Sequence, residues 1–392
     1  MDIYEKSLEM HKKFKGKLEI ALKVPMETKE DLSTYYSPGV AAPCKEIAKD
    51  EENSYIYTNR GNTLAIISDG SAVLGLGDIG AAAGLPVMEG KAALFKKFVN
   101  IDCFPLCIDT QNVEEIIKFA KLVVPSVAGI HLEDISAPRC VEIETRLKAE
   151  LDVPVFHDDQ HGTAIVVCAG VINACKLLGK KLEDLTVLVS GTGAAGSSII
   201  KNLHNLGIRK IRAYNSKGVL HKNNPKAKDY DFLSVDLVNN YVNDPNYTYN
   251  KGDIAEAIVG CDVFIGVSVS NIVSADMVKS MNKDAIVFAM ANPDPEIAYN
   301  DAKAAGAKVV GTGRSDYPNQ INNLLAFPGL FRGALDAKAT KITQEMITSA
   351  IYAIAGCVKD SELTEDFVVP SPFDMTVHTK VADAVKATAI KT

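Results

Sequence analysis

The sequence predicts an α/β protein of two domains, each built on a mostly parallel sheet. Short apolar runs alternate with helical patterns along most of the chain, and strand–helix–strand alternation implies parallel strands. A long apolar stretch, Thr163–Leu178, reads as a buried helix between two such series. The 392 residues suffice for two or three domains of about 150 residues each.

Residues 1–60 are polar and helical in pattern, broken by Pro25 and by the tight turn Ser37-Pro38-Gly39. Candidate strands follow at Leu64–Ile67, Cys103–Ile108, Val127–Leu132 and Val153–Phe156. Between them Val113, Ile116, Ile117, Ala120 and Val124 share one face at helical spacing, and Pro138 opens a further helix, Arg139–Leu151. The second series puts strands at Thr186–Val189, Lys210–Tyr214, Val263–Val267, Ala285–Met290 and Lys308–Val310. Thr343–Val358 is helical, and residues 368–373 form an irregular connection to a C-terminal helix. The boundary falls near residues 155–165. The expected division is a smaller α/β domain over 1–157, a doubly wound domain over 158–375, and a helix over 376–392 that packs back on the first domain.

A hydrophobic fraction of 47% and a charged fraction of 23% exclude a largely disordered chain, a fibrous repeat and a disulfide-stapled miniature. Lys and Arg number 42 against 49 Asp and Glu, a net charge of −7, which argues against a nucleic-acid partner. The first twenty residues are charged throughout and lack the apolar core of a signal peptide. Thr163–Leu178 carries Asn173 and Lys176 and falls short of a membrane span. Eight cysteines without a C-x-x-C pair read as reduced core thiols of a cytoplasmic protein.

Three groups of residues could carry chemistry. The first is Gly191-Thr192-Gly193-Ala194-Ala195-Gly196, preceded by the apolar run LTVLV and followed by the helical pattern SSIIKNLHNL. In that context the glycines suit a dinucleotide: the first permits the turn, the second admits pyrophosphate to the backbone, and the third packs helix on strand. The helix N-terminus offers unpaired N–H groups to the phosphates. An acid is expected at the end of the next strand, but Asn215 stands there, followed by Ser216 and Lys217. Asn215 can bond a ribose hydroxyl, and Ser216 and Lys217 can accept a 2′-phosphate, so NAD and NADP both stay open.

The second group is acidic. Glu133-Asp134 and Asp158-Asp159 each follow a strand, at the end where open α/β sheets place ligands. Carboxylates converging without cysteine suit Mg²⁺ or Mn²⁺, although acidic pairs at strand ends also serve as helix caps. His161 reads as a hydrogen-bonding neighbour of the acids rather than a ligand. The third group is Tyr36, beside the Ser37-Pro38-Gly39 turn, with Lys91. Alone they read as a half-buried tyrosine and a surface lysine, and they become proton-transfer partners only where their surroundings shift their pKa values.

Taken in order, YYSPGVAAPC, SDGSAVLGLGDIG, MEGKAALFKKF, HLEDI, FHDDQHGTAIV, VSGTGAAG, ANPDP and NNLLAFPG resemble the motifs of the malic enzymes, spanning residues 35 to 329. The length is similar to that of the short prokaryotic form. The resemblance implies a Rossmann-type NAD(P)-binding domain after the substrate domain. It also implies an oxaloacetate-decarboxylating malate dehydrogenase, which turns L-malate into pyruvate and CO₂ while reducing NAD or NADP. A malolactic-type decarboxylase with retained nucleotide is the alternative.

Carried over to this sequence, the resemblance implies Glu133, Asp134 and Asp159 as ligands of Mg²⁺ or Mn²⁺. Lys91 is implied as general base, Tyr36 as general acid, and Asp158 as the acid supporting the lysine. Asn292, Asn322 and Asn323 are implied at the nicotinamide or substrate, and a homodimer in which Tyr36 reaches a neighbouring site is expected. The segment with Gly75, Gly77 and Gly80 imitates a dinucleotide loop, but the resemblance places it near the substrate. Where longer relatives hold a substrate carboxylate with arginine, this chain has Ala72. Ser37, the asparagines and the metal are the candidates to replace it.

Overall fold

The structure is a computed structural model and describes residues 2–73 and 75–389. The first sheet comprises β1 (Thr63–Ser68), β2 (Asp102–Cys107), β3 (Gly129–Leu132) and β4 (Val155–His157), in the order β2-β1-β3-β4, all parallel. Every residue of β1, β3 and β4 is buried, as expected of parallel strands covered by helices on both faces.

The second sheet comprises β5 (Thr186–Ser190), β6 (Lys210–Asn215), β7 (Gly218–Val219), β8 (Val263–Gly266), β9 (Ile286–Ala289) and β10 (Val309–Thr312). Their order is β10-β9-β8-β5-β6-β7, and only β7 runs antiparallel. The chain leaves β5 in one direction and returns to β8 on its other side. This makes the gap between β5 and β8 the topological switch point, where such sheets bind ligands. The two-residue β7, a hairpin partner of β6, was not anticipated from the sequence.

The helix Asp158–Leu178 joins the two sheets. It begins five residues before the expected Thr163 because His157 caps it, accepting from Gln160 N–H through Nδ1 at 3.3 Å. It ends at Gly179, which takes φ +66°. By length and composition it could cross a membrane, but most of it is buried in the protein. Its small residues let neighbours approach; a Cβ at Gly170 would lie 3.1 Å from the Phe288 ring. One hydrophobic core runs through both halves, holding Leu64 and Phe95 together with Val187, Ile265 and Ile354.

The C-terminal helix Met375–Ala389 packs against the helix Phe327–Asp336, where a Cβ at Gly333 would lie 2.4 Å from Ala382 O. The His378 ring lies tilted against Phe98 of the first half, with ring centres 4.4 Å apart. Residues 390–392 of the expected helix lie outside the described residues. The N-terminal helices Ile3–Phe14, Lys29–Tyr35 and Ala41–Lys49 bury no residue. This stretch exposes Tyr4, Leu8, Ile20 and Leu22, with Ile20 at 92%. All eight cysteines are free, but Cys44 lies exposed on the third of these helices rather than in a core.

Candidate active site

Each acidic pair is delivered by the end of a strand. β3 ends at Leu132 and releases Glu133 and Asp134; β4 ends at His157 and releases Asp158 and Asp159 into the first turn of the long helix, whose dipole favours negative charge there. Ligand oxygens of Glu133, Asp134 and Asp159 lie within 4.8 Å of one another. Asp159 accepts from the Asp134 backbone N–H at 2.9 Å, and Asp134 takes φ +53°. Burial, followed by repulsion from neighbouring acids, pushes Asp134 up to about 8 and Asp159 up to about 6. The Asp134 Oδ2 atom is buried without a hydrogen-bond partner. A hard divalent cation would satisfy that oxygen and remove the repulsion, so the donor set fits Mg²⁺ or Mn²⁺.

Lys91 is not the surface lysine that it suggests when read alone. It is 8% exposed, 2.7 Å from Asp158 Oδ2, 2.9 Å from Glu133 Oε1, and over the Phe327 ring at 4.5 Å. Burial favours the neutral amine, but Asp158, Glu133 and Asp159 outweigh it and hold the ammonium well above its ordinary range. Asn323 joins the same cluster, donating to Asp158 Oδ2 at 2.6 Å. Asn322 does not: its side chain caps the short turn Asn323–Leu325, accepting from Leu324 N–H at 2.9 Å. Asn292 is exposed in the loop after β9.

At the switch point, the glycine loop takes the geometry that a dinucleotide needs. Gly191 has φ +96°, and a Cβ there would lie 2.4 Å from Val267 O; a Cβ at Gly196 would lie 1.8 Å from Gly191 O. Gly193 has open space where a side chain would stand. Thr192 is tied to the end of β6, accepting from Asn215 Nδ2 at 2.9 Å, while Ala194 and Ala195 open the helix Ala194–Asn205. The other glycine pattern lies in the loop after β1, and Ala72 N–H there donates to Asp134 O at 3.0 Å. That loop therefore borders the acidic cluster.

Residues 15–148 match the family "Malic enzyme, N-terminal domain", and residues 160–390 match "Malic enzyme, NAD binding domain". The chain belongs to the malic enzyme family. A bifunctional malic/malolactic enzyme of Bacillus subtilis is 51% identical over 100% of this chain and 94% of its own length. An NAD-dependent malic enzyme of Geobacillus stearothermophilus is 50% identical over 96% of this chain and 77% of its own. Among solved structures, the NAD-dependent malic enzyme of Thermotoga maritima superposes with a TM-score of 0.93 at 46% identity, covering 99% of this chain and 100% of that one. The malic enzyme of Pyrococcus horikoshii gives 0.94 at 45% identity, covering 100% of this chain and 91% of that one.

Tyr36 is the C-cap of the helix Lys29–Tyr35. It is 65% exposed, and among the described residues no hydrogen bond joins its hydroxyl to the Lys91 cluster. His161 has both ring nitrogens engaged, Nε2 with Glu144 at 2.8 Å and Nδ1 with Ser198 at 3.0 Å, so neither is left for a metal. The sequence reading missed Arg139. Its guanidinium donates to Asp69 at 3.1 Å and to Ser71, next to Ala72, at 3.0 Å. Its Nε is buried without a partner. Arg139 is the first residue of the helix Arg139–Glu150, a place where nothing in the sequence pattern sets it apart.

Proposed function

We propose that this protein catalyses divalent-cation-dependent oxidative decarboxylation of L-malate to pyruvate and CO₂ with reduction of NAD or NADP. One observation carries the reading: a buried lysine clamped between Asp158 and Glu133, beside three converging acids. The proposed working parts are a substrate half over 1–157 and a nucleotide half over 158–375, closed by the C-terminal helix.

Glu133, Asp134 and Asp159 would hold the cation, and Gly191 to Gly196 with Asn215 and Asn292 the nucleotide. When bound, the cation supplies Lewis acidity toward the substrate oxygens and the nicotinamide accepts hydride. Lys91 Nζ takes the hydroxyl proton as C2 loses its hydride. A cation held by these acids would offset Glu133 and Asp159, two of the three carboxylates that hold Lys91 protonated, and so favour the free amine that burial already favours, with Asp158 still paired to it. Asp158 and Asn323 keep Nζ in place. When the C3–C4 bond breaks and CO₂ leaves, its electron pair forms the enolate of pyruvate, and the Tyr36 hydroxyl protonates C3. Arg139 supplies the cation for a malate carboxylate that the residue at Ala72 cannot.

The exposed Tyr36 would serve the site of a second copy of the chain, which would also cover the exposed apolar N-terminal stretch. We therefore take the working form as a homodimer. Mixing inactive Lys91→Ala and Tyr36→Phe proteins, then unfolding and refolding them together, should restore activity, because one site in each hybrid is intact. No recovery would place Tyr36 with its own chain or outside the reaction.

The reaction itself is tested by following nicotinamide reduction with L-malate, with and without Mn²⁺ after chelation. NAD and NADP are compared and pyruvate is assayed. Metal-dependent reduction with matching pyruvate is the expected outcome; absence of turnover with both nucleotides would overturn it. A second reading, decarboxylation to lactate on a retained nucleotide, is favoured by the similarity to the B. subtilis bifunctional enzyme, and lactate without net reduction would establish it.

A further inference from the structure

Glu144 is a buried carboxylate that the steps above leave unused. Its Oε1 accepts from the His157 backbone N–H at 3.0 Å and pairs with Lys148 Nζ at 2.8 Å. That N–H is the last amide before Asp158 and Asp159, so Glu144 fixes the turn that carries both acids. Its Oε2 takes Nε2 of His161, whose Nδ1 reaches Ser198 Oγ. Ser198 lies on the helix Ala194–Asn205, which opens at the glycine loop. Asn202 Nδ2 donates to Ser198 Oγ at 3.4 Å, and Gln344 Nε2 donates to Asn202 Oδ1 at 2.8 Å. The pattern is self-consistent when Nε2–H donates to the carboxylate and the serine hydroxyl donates to Nδ1.

A single interior run of hydrogen bonds therefore joins the nucleotide-cradling helix to the acidic turn. We propose that His161 and Ser198 are positioning residues that couple the two sites, so that nucleotide and divalent cation each tighten the binding of the other through Glu144. The inference rests on the site assignments above. A displacement of the loop helix by pyrophosphate moves Ser198, and the imidazole passes this to the carboxylate holding the His157 amide. Buried networks of this kind act as a unit, and any coupling they carry is reciprocal.

The test is calorimetric titration of Mn²⁺ into the full-length protein, alone and with saturating NAD or NADP. In the wild type, nucleotide should lower the Mn²⁺ Kd at least about fivefold. Ser198→Ala should leave the nucleotide-free Mn²⁺ affinity unchanged and abolish this reinforcement, and Ser198→Thr, which keeps the hydroxyl, should restore it. His161→Gln, retaining an amide donor for Glu144, makes a second cut and should behave like Ser198→Ala. Wild-type protein that binds both ligands independently, or full reinforcement in Ser198→Ala, overturns the coupling alone. Failure of Mn²⁺ or both nucleotides to bind wild-type protein overturns the coupling and the site assignments together.

Discussion

At Lys91, burial and charge pull in opposite directions, and the carboxylates prevail. Lys91→Ala should lower kcat by about 10²-fold or more in both malate oxidation and oxaloacetate decarboxylation, leaving NAD affinity unchanged; normal rates would remove it as the base. Tyr36→Phe should slow pyruvate formation on a similar scale and spare nucleotide binding. Arg139→Gln should raise the malate KM at least about tenfold, a charge-assisted pair being worth about 1.5–3 kcal/mol, while the nucleotide KM holds steady. The acids were readable as residue types at strand ends. Sequence could not separate Asn323, which touches Asp158, from Asn322, which caps a turn, because neighbouring asparagines differ only in where the backbone aims them. Arg139 was silent because Asp69 and Ser71 lie far back in the chain, and Glu144 because a lone acid inside a helical pattern reads as a solvated face.

The helix Asp158–Leu178 does two jobs, filling the core between the sheets and presenting Asp158 and Asp159 at its first turn. Asp159→Asn should weaken Mn²⁺ binding at least about tenfold, measured by calorimetry; unchanged affinity would move the cation elsewhere. The body of this helix was legible from its apolar run. Its start was not, because the polar residues Asp158 to Gly162 look like a loop until His157 is seen to cap them. The strands were legible from their apolar runs, whereas β7, two residues long, carries no period to read. For the glycine loop, Gly196→Ala should raise the KM for nucleotide sharply, because its Cβ meets backbone rather than a side chain that could move aside.

Across the whole molecule, the acid cluster links stability to pH. Asp134 is lifted by burial and neighbouring acids from 3.8 to about 8, so between those values the folded, metal-free chain keeps a proton that the unfolded chain releases. Stability therefore falls as pH rises through that window. His131, lowered by burial to about 3, works the other way below 6.5, whereas Glu133 and Asp158, raised by the same burial, act in the same direction as Asp134, so above 6.5 the cluster as a whole sets the slope. Chelator-treated protein should lose on the order of 1–2 kcal/mol between pH 6.5 and about 8, seen as a falling Tm, and Mn²⁺ should raise Tm most at the alkaline end. A flat profile would mean that Asp134 is already ionised.

The exposed N-terminal apolar stretch has a consequence for dilution. If the proton donor for C3 arrives on a neighbouring chain, the number of complete sites is governed by mass action. Specific activity should then decline as the enzyme is diluted, return on concentration, and lag when a dilute stock is first mixed with substrate. Scarcity of the protein itself would become a brake on flux, without any effector.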